Sequence, residues 1–513
     1  MDQKLSSYQE SILDAVIASS KNLAIEAVAG SGKTFTLKLI ARSLSGDCSA
    51  VFVAFSKAIV AELEKSGLPI PAKTVHAIGY AALRSRVKCH YKLVSEYKYP
   101  DLVSEYLRES ESELDSGDVC RLIDLIRLKL ADPSDRSAIE SIIAEYDLDI
   151  DPAWIGIIPA LLQSGEKLAL STRKGESRID FTDMLYLPVK WGLKFDQWDV
   201  VLADEIQDLS PLQLAVIKQI TRSRFIGVGD PFQAIMGFAG ADCDSFQKVK
   251  DFFHCESMPL SICYRCPDAH LALARDFVPH IEGNHKSGTL HYSASLPALN
   301  EGDMIIARRT APLVSECMRL IKQGKRAYVR AKDLDKSLIR TAKRIFNADP
   351  APKFALAAIQ DCLSLELEKI EPNPRVVDRL EALVAIWDSS QPATLPDLIA
   401  AIKDVFKPSE GAIVFSSIHA SKGLESDNVV ILEGNLLPFL KFARTAEAIQ
   451  QERNITYVAL TRAKRSLTIV SPDAPERNLA STLIAMAARE FPPLPFIGTF
   501  APTPVYNRIM LEK

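Results

Sequence analysis

The chain has 513 residues, 47% of them hydrophobic, 25% charged and 7% aromatic, with 61 basic and 65 acidic side chains for a net charge of −4. At roughly 100–200 residues per domain this length predicts about three or four domains, and the ordinary apolar fraction excludes a disordered or fibrous protein. No apolar run approaches the ~20 residues that span a bilayer, which predicts no membrane-spanning helix; the balanced charge leaves no global basic field, so a polyanion would have to sit in a local channel.

Met1-Asp2-Gln3-Lys4 lacks the basic start and apolar run of a signal peptide. An amphipathic stretch at 8–18 precedes an apolar strand at 22–27, a glycine-rich turn and a helix at 34–43. A strand at 50–55 and a helix at 57–64 follow, and this βα alternation predicts a parallel sheet with helices on its faces. From about 84 to 176 helical periodicity takes over, as in Val119, Leu122, Ile123, Ile126 and Leu130, with an acidic stretch at 105–118. The segment reads as a mainly helical insertion. Strands resume at 198–203 and 224–228, and a strand at 303–307 opens a later α/β region. Residues 326–408 read as helical, with loops at Asp349-Pro350-Ala351-Pro352 and Glu371-Pro372-Asn373-Pro374, before a second α/β stretch over 412–470. The tail from Phe491 holds Pro492, Pro493, Pro495, Pro502 and Pro504 and cannot be a regular helix. It reads as a loosely packed tail, with partner docking as the alternative. No internal repeat shows at a period of 20–50 residues.

Nine scattered cysteines, an odd number without a signal peptide, predict reduced thiols in the cytosol. Cys263-x-x-Cys266 invites a metal or redox reading, but zinc takes four ligands and no second close pair is present. Buried structural thiols are the expectation.

Ala27-Val28-Ala29-Gly30-Ser31-Gly32-Lys33-Thr34 follows a strand and opens a helix, the context a phosphate-binding loop requires. Successive backbone N–H groups and the helix N-terminus attract phosphate oxygens. Lys33 would reach the β- and γ-phosphates and the Thr34 hydroxyl would ligate Mg²⁺, although Ala27 stands where the general pattern has its first glycine. Downstream, Val200-Val201-Leu202-Ala203 ends in Asp204-Glu205. Asp204 would supply a hard oxygen to Mg²⁺ and Glu205 would orient or deprotonate the attacking water.

Asp204-Glu205-Ile206-Gln207-Asp208, taken with Gly229-Asp230-Pro231-Phe232-Gln233-Ala234-Ile235, resembles motifs II and III of superfamily 1 helicases of the UvrD/Rep/PcrA group. Other blocks agree in order. Gln9 is similar to the adenine-reading glutamine, Thr74-Val75-His76 to motif Ib and Cys263-Tyr264-Arg265 to motif IV. Ser417-Ile418-His419-Ala420-Ser421-Lys422-Gly423-Leu424-Glu425 resembles motif V; Glu452-Arg453-Asn454 and Tyr457 through Lys464 resemble motif VI. The fold this implies is α/β, two RecA-like P-loop domains with parallel sheets, each carrying a mainly helical insertion. Domain 1A would be 1–83 and 177–258, insertion 1B 84–176, domain 2A 259–325 and 409–490, insertion 2B 326–408, and the Pro-rich tail 491–513. The short 2B resembles compact members, including phage-type enzymes and the helicase part of F-box DNA helicases.

The resemblance implies an ATP-dependent helicase moving 3′-to-5′ on single-stranded DNA and unwinding ss/ds junctions, with ATP and Mg²⁺ bound in the cleft between the two RecA-like domains. Arg265 and Arg462 would act as arginine fingers, and Gln233 would sense the γ-phosphate. Gln9, Ala29, Gly30, Ser31, Gly32, Lys33, Thr34, Tyr264, Gly423 and Glu425 would hold the nucleotide. Phe238, with Phe55, Thr74, His76 and His419, would grip DNA; Met236 and Ala239 replace a usual Tyr and Arg beside Phe238. The expected form is a cytoplasmic monomer of a bacterial or phage-infected cell, in repair, recombination, replication or defence, with a protein partner through 2B or the tail left open. The alternatives are a protein-stripping translocase with weak unwinding and an ATP-switched scaffold serving a nuclease or defence partner.

Overall fold

Most strands of the first half are short and apolar and are separated by amphipathic helices, and they assemble as such segments must when both faces are covered. In the computed structural model β1 (Leu23–Ala27), β2 (Ala50–Ala54), β3 (Ala72–Thr74), β4 (Trp198–Ala203), β5 (Thr221–Gly229) and β6 (Glu256–Leu260) form one parallel sheet in the order β3-β2-β4-β5-β1-β6. The structure describes residues 4–472 except 45, 47, 88–93, 111–117, 147, 149, 172–176, 238–239, 242, 332–333, 348–351, 371 and 444. All of β2 is buried, and its alternate residues serve opposite cores: Val51 and Val53 pack with Val201 and Ala203, Phe52 and Ala54 with Val200 and Leu202. That two-sided burial is why these strands read as continuous apolar runs rather than alternating ones.

The chain divides into two compact units, Met1–Ser287 and Gly288–Lys513. Residues 259–287, which the sequence reading puts at the start of domain 2A, pack in the first unit. There β7 (Ile262–Cys263) pairs with β8 (Glu282–Gly283), and the Tyr264 N–H donates to Gly30 O at 2.9 Å.

Between β3 and β4 the helices Lys98–Glu109, Val119–Lys129, Arg136–Tyr146 and Ala153–Leu170 build a separate core around Val103, Leu122, Ile126 and Trp154. The helical expectation for this region is met, with one local correction. Leu130, counted in the apolar stripe, adopts a left-handed conformation (φ 55°) and caps the helix instead of extending its buried face. A buried charge network ties this insertion back to the sheet domain. Arg127 donates to Asp180 at 2.9 and 2.8 Å and to Asp183 at 3.0 Å, and Lys98 pairs with Asp183. Each buried charge has an opposite partner, the condition under which burial is tolerated.

In the second unit β9 (Thr289–Ser293), β10 (Met304–Ala307), β11 (Ala327–Arg330), β12 (Ile413–Ser417), β13 (Ser426–Ile431) and β14 (Ala463–Val470) form another parallel sheet, ordered β11-β12-β10-β13-β14-β9. Strand β11 lies inside the region expected to be helical. Four residues are too few to register a period of two against a helical background, and pairing with β12 decides the outcome. Helices Leu334–Phe346, Leu356–Leu367, Pro374–Ser390 and Leu395–Val405 then cover the sheet. Leu338, Ile359, Leu383 and Ile402 share one core with Ile305, Phe415 and Val430, so these helices are a layer of the sheet domain and not a separately cored arm. Asp378 fixes the layer by accepting from the Thr310 and Ala311 N–H groups at 2.8–2.9 Å. The expected loop at 371–374 is partly a helix start: Asn373 Oδ1 accepts from the Arg375 N–H at 3.0 Å and Pro374 opens the first turn. Most of the expected loop at 349–352, and the whole Pro-rich tail, lie outside the described residues.

Candidate nucleotide site and strand-binding face

Ligand sites of open parallel sheets form at the carboxyl ends of the strands. The end of β1 runs through Val28–Gly32 into the helix Lys33–Ser43. Gly30 and Gly32 have φ of 67° and 85°, a region that a Cβ makes costly. At Gly30 a Cβ would also lie 2.5 Å from the Arg265 Cβ, so the loop needs glycine there twice over. The buried Ser31 hydroxyl donates to Val28 O at 2.8 Å, closing the loop. Gly32 caps the following helix without a side chain, which leaves first-turn N–H groups for an anion.

The loop meets the end of β4. Thr34 Oγ1 donates to Asp204 Oδ2 at 2.8 Å, and Lys33 Nζ lies 3.8 Å from Glu205 Oε1. Burial, then the neighbouring Glu205 charge, pushes the Asp204 carboxyl up to about 7. A hydroxyl and a buried carboxylate side by side fit Mg²⁺, which takes one or two protein oxygens and completes its shell with water and phosphate. Among the described residues no group of three or more His, Cys, Asp or Glu side chains gathers for a metal, so Cys263-x-x-Cys266 has no further ligands there. Both thiols are buried, as the sequence reading expects, and hydrogen bonding from Cys266 is the main cause lowering Cys263 to about 7.

Glu205 sits at φ 53°, a strained conformation of the kind that clusters at functional sites. Gln233 lies beyond β5 in the short 3-10 turn Pro231–Gln233, where its Nε2 donates to Asp230 Oδ2 at 2.8 Å; Asp230 is pushed up to about 6, chiefly by burial. Gln9 closes the other side. It completes a capping box with Ser6, and its Nε2 donates to Thr36 Oγ1 at 3.3 Å, one turn into the phosphate-loop helix. Tyr264 is 37% exposed beside the loop, and Lys286 donates to the Arg265 carbonyl at 2.7 Å. Lys33, Thr34, Asp204, Glu205, Gln9, Gln233, Tyr264 and Arg265 therefore all belong to the first unit.

The second unit carries the rest. Gly423 takes φ 81° after β12, and Glu425 pairs with Lys464 at 2.5 Å. Arg462 is 1% exposed, and its guanidinium donates to Val458 O at 2.9 Å, Thr461 Oγ1 at 3.1 Å and Leu424 O at 3.3 Å. Burial, then the charges of Arg308, Arg375 and Lys422, pushes His419 down to about 3, so it is neutral.

Phe55, 38% exposed, follows β2, and His76 follows β3. Thr74 has a structural duty as well: its hydroxyl accepts from the Ala77 N–H at 3.1 Å and caps the helix Val75–Leu83. A small cavity lined by Phe55, Val75, His76, Ala203, Asp204 and Gln213 joins this face to the acidic end of β4. Sequence reasoning missed Phe181. It is 57% exposed, its ring meets His76 edge-on with centroids 6.5 Å apart, and the buried Arg127–Asp180–Asp183 network holds its turn. The readable signal is an aromatic between acids in Asp180-Phe181-Thr182-Asp183, where a core residue is not expected. Phe238 and Ala239 lie outside the described residues.

Comparison with known proteins identifies the family. Residues 8–254 match the UvrD/REP helicase N-terminal domain and residues 362–473 the UvrD-like helicase C-terminal domain. F-box DNA helicase protein 1 of Schizosaccharomyces pombe is 25% identical over 529 residues, an alignment covering 91% of this chain and 57% of that protein. ATP-dependent DNA helicase UvrD2 of Mycobacterium tuberculosis is 25% identical over 552 residues, covering 89% and 77%. DNA helicase IV of Escherichia coli is 25% identical over 317 residues, covering 57% and 37%. The chain thus spans little more than half the length of the yeast relative. The two family matches together take in the phosphate loop, the β4 acids and the motif VI helix, and the chain belongs to the UvrD/REP helicase family.

Proposed function

We propose that the chain is an ATP-dependent DNA helicase that moves 3′-to-5′ along single-stranded DNA and opens ss/ds junctions. The observation that carries this reading is the shared sheet end: Thr34, Lys33, Asp204 and Glu205 gather at β1 and β4, while Phe55, His76 and the exposed Phe181 gather at β2 and β3. Nucleotide chemistry and base stacking on one rigid sheet are what coupling requires.

In this reading Gln9 and Tyr264 hold the adenine, and the loop N–H groups and Lys33 hold the phosphates. Glu205 orients the attacking water, Gln233 senses the γ-phosphate, and Arg265 and Arg462 stabilise charge on the transferred group. Gly423 and Glu425 are proposed as further nucleotide contacts. Mg²⁺, held by Thr34 and Asp204, supplies charge neutralisation at the phosphate oxygens. Aromatic and phosphate contacts on a strand are sequence-tolerant, which suits a motor. His419, neutral, and Phe238 complete the proposed grip. The chain is proposed to act as a monomer in the cytoplasm. None of the described cysteines forms a disulfide, and no described helix is long and apolar enough to cross a membrane.

Strand separation on 3′-tailed and 5′-tailed duplexes tests the reading. Unwinding of only the 3′-tailed substrate is expected; unwinding of only the 5′-tailed one would overturn the polarity. A second reading, a translocase that strips proteins with little unwinding, is favoured by the absence of a separately cored arm among the described residues of the second unit. ATP turnover stimulated by single strand without separation of either duplex would select it.

Phe181→Ala is expected to weaken single-strand binding by about 1–3 kcal/mol, read by anisotropy of a labelled oligonucleotide, with ATP turnover in the absence of DNA unchanged. Equal affinity of variant and wild type would remove Phe181 from the strand-binding face.

A further inference from the structure

One fully buried side chain, Gln207, stands between Glu205, the acid proposed to orient the water, and Gln233, the glutamine proposed to sense phosphate. Its Nε2 donates to Glu205 Oε2 at 2.5 Å and reaches Asp208 Oδ2 at 3.3 Å. Its Oε1 accepts from the Asp230 N–H at 3.0 Å. Asp230 in turn accepts from Gln233 Nε2 at 2.8 Å through Oδ2, and from the Phe232 N–H at 3.1 Å through Oδ1. An unbroken line of hydrogen bonds therefore runs Glu205–Gln207–Asp230–Gln233, from the end of β4 to the end of β5.

We propose that Gln207 is a positioning residue that fixes the Glu205 carboxylate and links it mechanically to Gln233, so that the phosphate sensor and the water-orienting acid move together. This rests on the hydrolase reading of the site and adds to it the route by which its two halves communicate.

Four features support the assignment. The amide can face only one way: turned over, its oxygen would oppose the Glu205 carboxylate and its NH₂ the Asp230 N–H, both repulsive. An amide of this length donates to an acid on one side and accepts a backbone N–H on the other; an ionised acid or a hydrocarbon cannot do both. The space is reserved, because a Cβ at Gly229 would lie 2.5 Å from Gln207 Oε1 and force the side chain away. Glu205 meanwhile sits in left-handed backbone, at φ 53°, a conformation costly for a residue with a Cβ. Hydrogen-bond partners that orient metal ligands are worth about ten- to a hundredfold in activity when removed, and the same scale is expected for a partner that orients Glu205.

Two variants reach the link from opposite sides. Gln207→Glu keeps the shape and the acceptor for Asp230 but sets a carboxylate against Glu205. Gly229→Ala leaves Gln207 chemically unchanged and crowds it sterically, along with Ile206 at 2.9 Å and Phe246 at 3.1 Å. The measurement is steady-state ATP turnover with and without single-stranded DNA, alongside melting temperature. Each variant is expected to lower kcat about ten- to a hundredfold with KM for ATP unchanged. The ratio of DNA-stimulated to basal turnover should fall as well, and the double variant should be no worse than the worse single one, since both break one link. A purely structural role would lower the melting temperature and leave kcat and the stimulation ratio of the folded fraction intact; that result overturns the proposal, as does wild-type kcat in both variants. Absence of ATP turnover in the wild-type protein would instead overturn the hydrolase reading, and the link with it.

Discussion

Lys33→Ala is expected to reduce ATP turnover about a thousandfold, to the level of background, without unfolding the protein. Lys33 is the first residue of the phosphate-loop helix, and its ammonium lies 3.8 Å from the Glu205 carboxylate, poised between that acid and the loop. A unit charge about 4 Å from a phosphate oxygen contributes roughly 4 kcal/mol at the effective dielectric of a protein surface. If most of that interaction is made as charge moves in the transition state, about three decades of rate depend on it. Truncation also leaves Glu205 without its ammonium neighbour, so two defects act in one direction. Phosphate release gives the rate and thermal melting the control. Appreciable residual turnover in a folded variant would mean that the loop does not hold the transferred phosphate.

Arg462→Ala separates chemistry from binding. A finger that acts only on the developing charge is worth on the order of 10³ in kcat, while nucleotide affinity changes little. The structure makes this a demanding case, because the guanidinium is buried and donates to Val458 O, Leu424 O and Thr461 Oγ1. Those contacts aim a rigid, permanently charged group, but they are also what a structural pin would make. The expected result is a collapsed kcat with near-normal binding of a fluorescent ATP analogue and a near-normal melting temperature. Loss of stability in step with activity would make Arg462 a pin of the motif VI helix, leaving Arg265 as the finger candidate.

How much of this was readable in advance depends on the kind of signal. Strands buried on both faces announce themselves, and β4 lies where the apolar run Trp198–Ala203 puts it. The phosphate loop and the β4 acids are local patterns whose meaning comes from a strand before and a helix after, and the structure supplies both. Other features depend on partners far away in sequence. β11 is a strand because β12 lies beside it, not because Ala327–Arg330 has a period of its own. The helices after it were legible as helices, but their sharing of the sheet's core is a matter of which faces meet. Phe181 is prominent only because Arg127, some fifty residues earlier, holds its turn against His76. Gln207 was visible as one letter of a motif; its three hydrogen-bond partners, and the reason for Gly229, appear only when β4 and β5 lie side by side.

One sheet end is proposed to couple ATP chemistry to a single strand of DNA. This coupling is tested most directly by steady-state ATP hydrolysis of the wild-type chain with and without a single-stranded oligonucleotide. The account predicts Mg²⁺-dependent turnover that rises strongly and saturably with the strand, and that loses this response as salt displaces the phosphate contacts. Turnover indifferent to the strand, or no turnover at all, would contradict it and leave a nucleotide-switched scaffold as the better description.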